Sequence, residues 1–518
     1  MIRPRLRHRT RASRPAALVA AVAALLLASR LSLKPNSQAK LSTDLLKAMA
    51  ASVSAGTGET LRVWVYFLDK GEMGQGSLVT ALANARQTLS AHTAWRRAKV
   101  RPEADLVDYE DLPVASAYAD QVKDRTLRVR TVSRWLNALS VEASPDQVWT
   151  LAALDAVDRL DVVRAFRRSG PDGPAEPAAP PTSQIPAAAA AVRNPIYGQA
   201  FAQLSQIAVP ALHQQGLSGR GVLVCLLDVG FRWDHEVFRL SRLVRQWDFV
   251  FGDADVRQDP ANPSDYSDAH GTATWSLLGG FKFGTMIGPA FGADFLLGKT
   301  EVETSETPIE EDYWAAGIEW AESLGAEVVS SSLGYTDWYA FKDMDGKTAV
   351  TTKAANRAVS LGVVVVNAAG NERRNAWGHI IAPADGFGVI AVGAVDAAGK
   401  LASFSSPGPT YDGRIKPEVC AFGVNDWVAA KATDGGDTYI TGSGTSYATP
   451  LVAGAAALLL EAHRDWTPAQ VGDALMKTAG NASAPNNDYG WGIIDAAAAV
   501  AHRTAANTAP AKAMPRIR

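Results

Sequence analysis

Cysteine is almost missing from this chain: among 518 residues only Cys225 and Cys420 occur. Two thiols cannot make the cross-link framework of a small secreted scaffold. Both lie in apolar runs, VLVCLLDV and KPEVCAFG, so buried free thiols are expected. An excess of either charge is missing too. Fifty-one basic residues face 53 acidic ones, a net charge of −2, which leaves no field to steer nucleic acid or an anionic membrane toward the surface. Internal repeats of about 20 to 50 residues are not evident. The apolar run near the N terminus, residues 15–28 (PAALVAAVAALLLA), would span roughly 21 Å as a helix, short of the ~30 Å hydrocarbon core.

What is present begins with charge order. Arg3, Arg5, Arg7, Arg9, Arg11 and Arg14 precede that short apolar run, and no acid lies among them. A basic segment followed by a short apolar one reads as an export signal, so residues 1–30 are expected to be a signal peptide or, if uncleaved, an N-terminal anchor. No adjacent Arg pair supports the twin-arginine route, and no clean small-x-small cleavage site follows. A secreted or periplasmic location follows from this reading. Apolar residues make up 47% of the chain and charged ones 20%, a globular composition, and the length calls for two or more folding units.

Residues 61–70, LRVWVYFLDK, alternate as a half-buried strand does, and the stretch from Trp135 to Phe166 reads as strand, helix, strand. Ser144, Pro145 and Gln147 form a helix-start signature within it, as do Thr467, Pro468 and Gln470 further on. Residues 40–167 are therefore expected to form a small α+β unit. The Pro- and Ala-rich stretch 168–198 reads as a linker, and residues 503–518 as a flexible tail. Between them, 199–502 alternates Val-rich runs bounded by glycine (GVLVCLLDVG, AEVVSSSLGY, GVVVVNAAGN, GVIAVGAVD) with helical stretches such as EDYWAAGIEWAESLG and TTKAANRAVSLG. Continuous apolar runs suit parallel strands buried on both faces. The expected fold is a three-layer α/β domain with a mostly parallel sheet flanked by helices.

In such folds reactive groups gather at the carboxyl ends of the strands. Asp228 closes the first run, and Asn371 follows the third. His270 opens HGTATWSLLGG, a helix start with only small neighbours, and Ser446 lies where a Gly-rich turn enters the Ala-rich stretch TSYATPLVAGAAALLLEA. Taken one at a time, each has an ordinary explanation: a turn-forming Asp, a helix-start His, a turn Asn, a helix-capping Ser. Together their chain order, Asp, His, Ser, is one of the three known for the Ser-His-Asp device; an α/β-hydrolase would need the serine first.

These blocks resemble the subtilisin-like serine proteases, the subtilase family (peptidase S8), over about 300 residues of this chain, from SGRGVLVCLLDVGF to YGWGIIDAAAAVAH. HGTAT is similar to the family's His-Gly-Thr block, SSSLG to its substrate-binding strand, NAAGN to its oxyanion block and GTSYATPLVAG to its Gly-Thr-Ser-x-Ala-x-Pro block. The resemblance implies Asp228 as orienting carboxylate, His270 as general base, Ser446 as nucleophile and Asn371 as oxyanion donor. It implies that Ser332, Leu333 and Gly334 bind the backbone of a polypeptide substrate. It also implies that 40–167 is an inhibitory prodomain acting within the chain, and that the mature enzyme is a monomeric endopeptidase made as a self-processing zymogen. The rival reading is a catalytically silent subtilase-like domain that binds peptides or proteins.

The chain departs from the family in places. Val229 stands where Ser or Thr is common, HGTAT lacks a second histidine and the Val-Ala-Gly continuation, and Tyr447 replaces the usual methionine after the serine. No cofactor is required by this chemistry. Structural calcium is known among relatives, but no compact Asp/Asn loop of calcium type is present, and the acidic stretch before His270 reads as a solvated loop. The stretch HIIAPADGFG lacks a placed acid and leans toward apolar or uncharged side chains at the cleavage site.

Overall fold

The computed structural model describes residues 36–503 apart from 56–59, 72–73, 164, 167–193, 259–267, 302–308, 337–338 and 433–434. The expected signal segment 1–30, the tail 503–518 beyond its first residue and most of the linker therefore lie outside the described residues. Among the described residues no helix is long and apolar enough to cross a membrane.

The chain divides into two compact units, residues 1–72 with 113–163, and residues 73–112 with 164–518. The first is built on an antiparallel sheet of four strands, β1 (Leu61–Phe67), β2 (Arg128–Ser133), β3 (Ala138–Ala143) and β4 (Val157–Val162), in the order β2-β3-β1-β4. Ser144 caps the helix Pro145–Ala152 in the expected reciprocal manner: its Oγ accepts from Gln147 N at 3.2 Å while its own N donates to Gln147 Oε1 at 2.9 Å. Leu45 and Met49, on the helix Thr43–Ala55, pack with Val63, Val65, Val141, Val148 and Leu160 to make this unit's core.

Residues 73–112, which sequence pattern groups with the small unit, pack in the second one. The reason is a buried ionic contact that hydrophobic periodicity does not report. Helix α1 (Ala91–Arg97) carries Arg96 and Arg97, both fully buried. Arg97 Nε and Nη2 donate to the two oxygens of Glu322 at 2.8 and 2.9 Å, and Nη1 and Nη2 donate to Asp111 at 3.0 and 2.9 Å. Arg96 also pairs with Glu322 and donates to the Ala326 and Leu361 carbonyls at 2.7 and 3.2 Å. Buried charges persist only when paired this completely.

The second unit is organised on a seven-stranded sheet. Its strands are β5 (Leu223–Asp228), β6 (Arg242–Asp248), β7 (Asp294–Lys299), β8 (Val328–Ser331), β9 (Val364–Ala368), β10 (Ile390–Val395) and β11 (Val419–Phe422). They run in the order β11-β10-β9-β8-β5-β7-β6, and every pairing is parallel. Each of the four Val-rich runs marked in the sequence becomes one of these strands, because only a strand covered on both faces accommodates such unbroken apolarity. Helices α2 (Ala269–Gly279), α3 (Glu311–Leu324), α4 (Val350–Ser360) and α5 (Thr445–Ala462) flank it. An antiparallel hairpin, β12 (Val424–Lys431) and β13 (Asp437–Ser443), leads into α5. Cys225 and Cys420 are buried and unbridged, as expected. Burial pushes both thiols up, that of Cys420 to about 12.

Candidate active site

The carboxyl ends of β5 and β8 and the chain just beyond β9 bring the singled-out residues to one edge of the sheet. Asp228 is the last residue of β5, and His270 is the second residue of α2. His270 Nδ1 and Asp228 Oδ1 lie 2.6 Å apart in a hydrogen bond, both side chains buried. Asp228 is fixed in turn: Oδ1 accepts from Val229 N at 2.8 Å, and Oδ2 accepts from Thr274 Oγ1 at 3.0 Å. Thr274 lies one helical turn after His270, so the two share a face of α2 and can hold one carboxylate between them. That turn of HGTAT was the available signal, and sequence reading passed over it. With Nδ1 tied to a carboxylate, Nε2 is the nitrogen left for proton transfer, and it makes no hydrogen bond within the protein.

The approach of α2 to β5 depends on Gly271. A Cβ there would sit 2.0 Å from the Gly230 carbonyl oxygen and 3.1 Å from Asp228 Cβ.

Ser446 is the second residue of α5, whose capping position is Gly444, so the helix-capping explanation is set aside. Its Oγ donates to the Ser332 carbonyl at 3.3 Å, and Ser332 Oγ donates to the Ser446 carbonyl at 2.8 Å. The second bond follows from the sequence. In a helix the Ser446 carbonyl would accept from the amide four residues on, but that residue is Pro450, which has no N–H. Ser332 supplies the missing donor and pins the segment after β8 to the start of α5.

Asn371 stands beside the same helix start. Its Oδ1 accepts from Thr445 N at 3.0 Å and from Thr445 Oγ1 at 3.1 Å. Since the carboxamide is planar, holding Oδ1 turns the amino side away from Thr445. Leu333 and Gly334 continue the segment after Ser332, and Asn367 Nδ2 holds the Leu333 carbonyl at 3.0 Å. Tyr447, without explanation in the sequence, leans on His270 with ring centroids 5.9 Å apart at 56°.

Among the described residues no group of three or more His, Cys, Asp or Glu side chains converges as metal ligands would. In the acidic stretch before His270, Asp255 is taken up by Arg257 at 2.9 and 2.8 Å.

Comparison with known proteins agrees with this architecture. Residues 219–492 match the model of the subtilase family, and residues 62–175 match that of a peptidase S8 propeptide domain described from Bacteroidota. Subtilisin E of Bacillus subtilis is 36% identical over 301 residues, covering 57% of this chain and 70% of that protein. Subtilisin of Bacillus pumilus is 36% identical over 298 residues, covering 57% of this chain and 97% of that protein. In fold, the chain is similar to fervidolysin from Fervidobacterium pennivorans, a keratinolytic enzyme related to subtilisin. There the TM-score is 0.59 at 20% identity, over 86% of this chain and 61% of that one. With a family match spanning more than half its length and a propeptide domain before it, the chain belongs to the subtilase family of subtilisin-like serine endopeptidases.

Proposed function

We propose that the protein is a secreted endopeptidase that cleaves peptide bonds through Asp228, His270 and Ser446, with Asn371 at the oxyanion. The observation that carries this reading is the buried Asp228–His270 hydrogen bond of 2.6 Å, which fixes the tautomer that leaves Nε2 able to accept a proton. In the first step Ser446 Oγ attacks the scissile carbonyl carbon while His270 Nε2 takes its proton. The carbonyl π electrons move onto oxygen, where the Asn371 amide and the first-turn amides of α5 stabilise the charge. Collapse of this adduct expels the amine, which takes the proton back from His270, and an acyl-enzyme remains. Water, deprotonated by His270, repeats the sequence and releases the acid.

An extended substrate lies along residues 332–334 as an added strand, and apolar or uncharged side chains are preferred at the cleavage site. The propeptide domain acts as an intramolecular inhibitor, and the enzyme removes it by cutting between about 165 and 200. The Arg-rich start and short apolar run support export.

A fluorophosphonate probe followed by peptide mapping tests the reading. The expected adduct is on Ser446 of processed protein; processed protein without it would overturn the assignment. Wild-type protein should gain a new N terminus in the linker, and purified Ser446→Ala should stay uncut.

A further inference from the structure

Asp426 is a fully buried carboxyl to which the reaction above gives no role. It sits on β12 with no exposed surface, and neither of its oxygens has a hydrogen-bond partner. An aspartate in this situation cannot carry a charge without a donor or a cation. Burial drives its ionisation well above the ordinary carboxyl range, and only its own backbone amide opposes this.

Its location gives the group a use. In the hairpin Asp426 is directly opposite Gly442, and opposed residues of an antiparallel pair project from the same face with Cβ atoms about 5 Å apart. That face is occupied by Tyr447: a Cβ on Gly442 would lie 2.7 Å from Tyr447 Cζ and 3.0 Å from its hydroxyl. Gly442 is therefore the gap that admits the ring, and Asp426 stands across the gap. The same ring lies beside that of His270, with centroids 5.9 Å apart. β12 also packs directly on α2, the helix that carries His270, where Ala429 N donates to Ser276 Oγ at 3.0 Å.

We propose that Asp426 is a positioning residue for the reaction, a neutral carboxyl behind the Tyr447–His270 contact whose ionisation displaces Tyr447 and with it the imidazole. This rests on the proposed function above. The titratable groups on the elements packed against β12 are His270 on α2, Tyr447 and, at the far end, Glu461 on α5, and Tyr439 and Asp437 on β13; Glu461 is taken up by the Ser218 and Gly219 amides. Lys431 is opposite Asp437 in register at the far end of the hairpin, and there Arg232 reaches Asp437 at 3.3 Å. No cation among these sits beside Asp426 to receive its charge. When the proton leaves, the carboxylate must draw in water or a donor, and the ring that lies against the opposing Gly442 is that of Tyr447. In the sequence only Tyr447, standing where the family has methionine, was a visible departure.

The test uses the full-length chain and Asp426→Asn, which keeps the shape and cannot ionise. kcat and KM on a peptide amide are measured from about pH 6 to about pH 11. Wild type should lose kcat on the alkaline side with little movement in KM. In Asp426→Asn the loss should move up by about one pH unit or more, about tenfold in kcat on the falling limb. Tyr447→Met should remove the same transition, since the ring transmits it. Superimposable wild-type and Asp426→Asn profiles would overturn the proposal. A second measurement needs no turnover: Ser446→Ala protein should show a protonated-carboxyl infrared band at neutral pH that disappears with the same midpoint as kcat. Absence of that band at neutral pH would also overturn it. A protein with the band but no peptidase activity at any pH would instead overturn the functional reading.

Discussion

Gly271 and the Gly230 carbonyl are in such close contact that a single methyl group at residue 271 would fall 2.0 Å from the oxygen. Neither partner can yield easily, because Gly230 follows the end of β5 and Gly271 lies in the first turn of α2. Gly271→Ala should push α2 outward and break the 2.6 Å Asp228–His270 bond. A displacement near 1 Å costs about 100-fold in rate, so kcat/KM on a peptide substrate should fall by at least about that factor. Retention of wild-type kcat/KM would count against this account of the His-Gly block.

Asn371→Ala should lower kcat by about 10²–10³ and leave KM nearly unchanged, because the lost bond forms only as charge develops; that magnitude comes from subtilisin, a relative, and is not independent of the family. Thr445→Val, which removes the hydroxyl bond to Asn371 at 3.1 Å but keeps the backbone one, should show the same pattern more weakly. A loss confined to KM in either variant would place Asn371 in ground-state binding.

Thr274→Val removes the second support of Asp228, the 3.0 Å bond to Oδ2. A hydrogen bond to a charged group contributes about 1.5–3 kcal/mol, most of which would appear as a drop in kcat of at least about tenfold. Thr274→Ser should recover much of it, since the donor returns.

Arg97→Ala leaves Glu322 and Asp111 short of partners in a fully buried site. Breaking one side of such a pair costs about 3–5 kcal/mol. Chemical denaturation of Ser446→Ala protein with and without Arg97→Ala measures this directly. Unchanged stability would show that residues 91–111 are not anchored by that pair.

Nearby Glu327 gives a pH dependence. Burial pushes its carboxyl up, but His92, Lys99 and Arg464 outweigh burial and hold it at about 2. A carboxyl whose folded value is depressed contributes stability above its ordinary value, about 4.5, and that contribution is lost as pH falls toward 2. The stability difference between Ser446→Ala and Ser446→Ala/Glu327→Gln should therefore shrink as pH drops through that window. A constant difference would contradict the coupling.

Much of the catalytic unit was written in local pattern. Unbroken Val runs bounded by glycine mark strands covered on both faces, and β5, β8, β9 and β10 form where those runs lie. Asp228, His270, Asn371 and Ser446 were singled out because strand ends and helix starts are local features and their chain order is informative. Pro450, four residues after Ser446, even encodes the missing helical donor that Ser332 replaces. Other parts depended on groups far apart in sequence. Arg96 and Arg97 pair with Glu322, more than two hundred residues away, and so residues 73–112 join the larger unit against their sequence neighbours. Thr274, Thr445 and Gly271 acquire their roles only when the elements meet. Tyr447 showed as an unexplained departure, and Asp426 drew no notice until the hairpin set it opposite Gly442. Periodicity and composition follow from how each residue meets water and its near neighbours. Which buried charge meets which, and where a glycine must leave room, follows only from the packing of the whole chain.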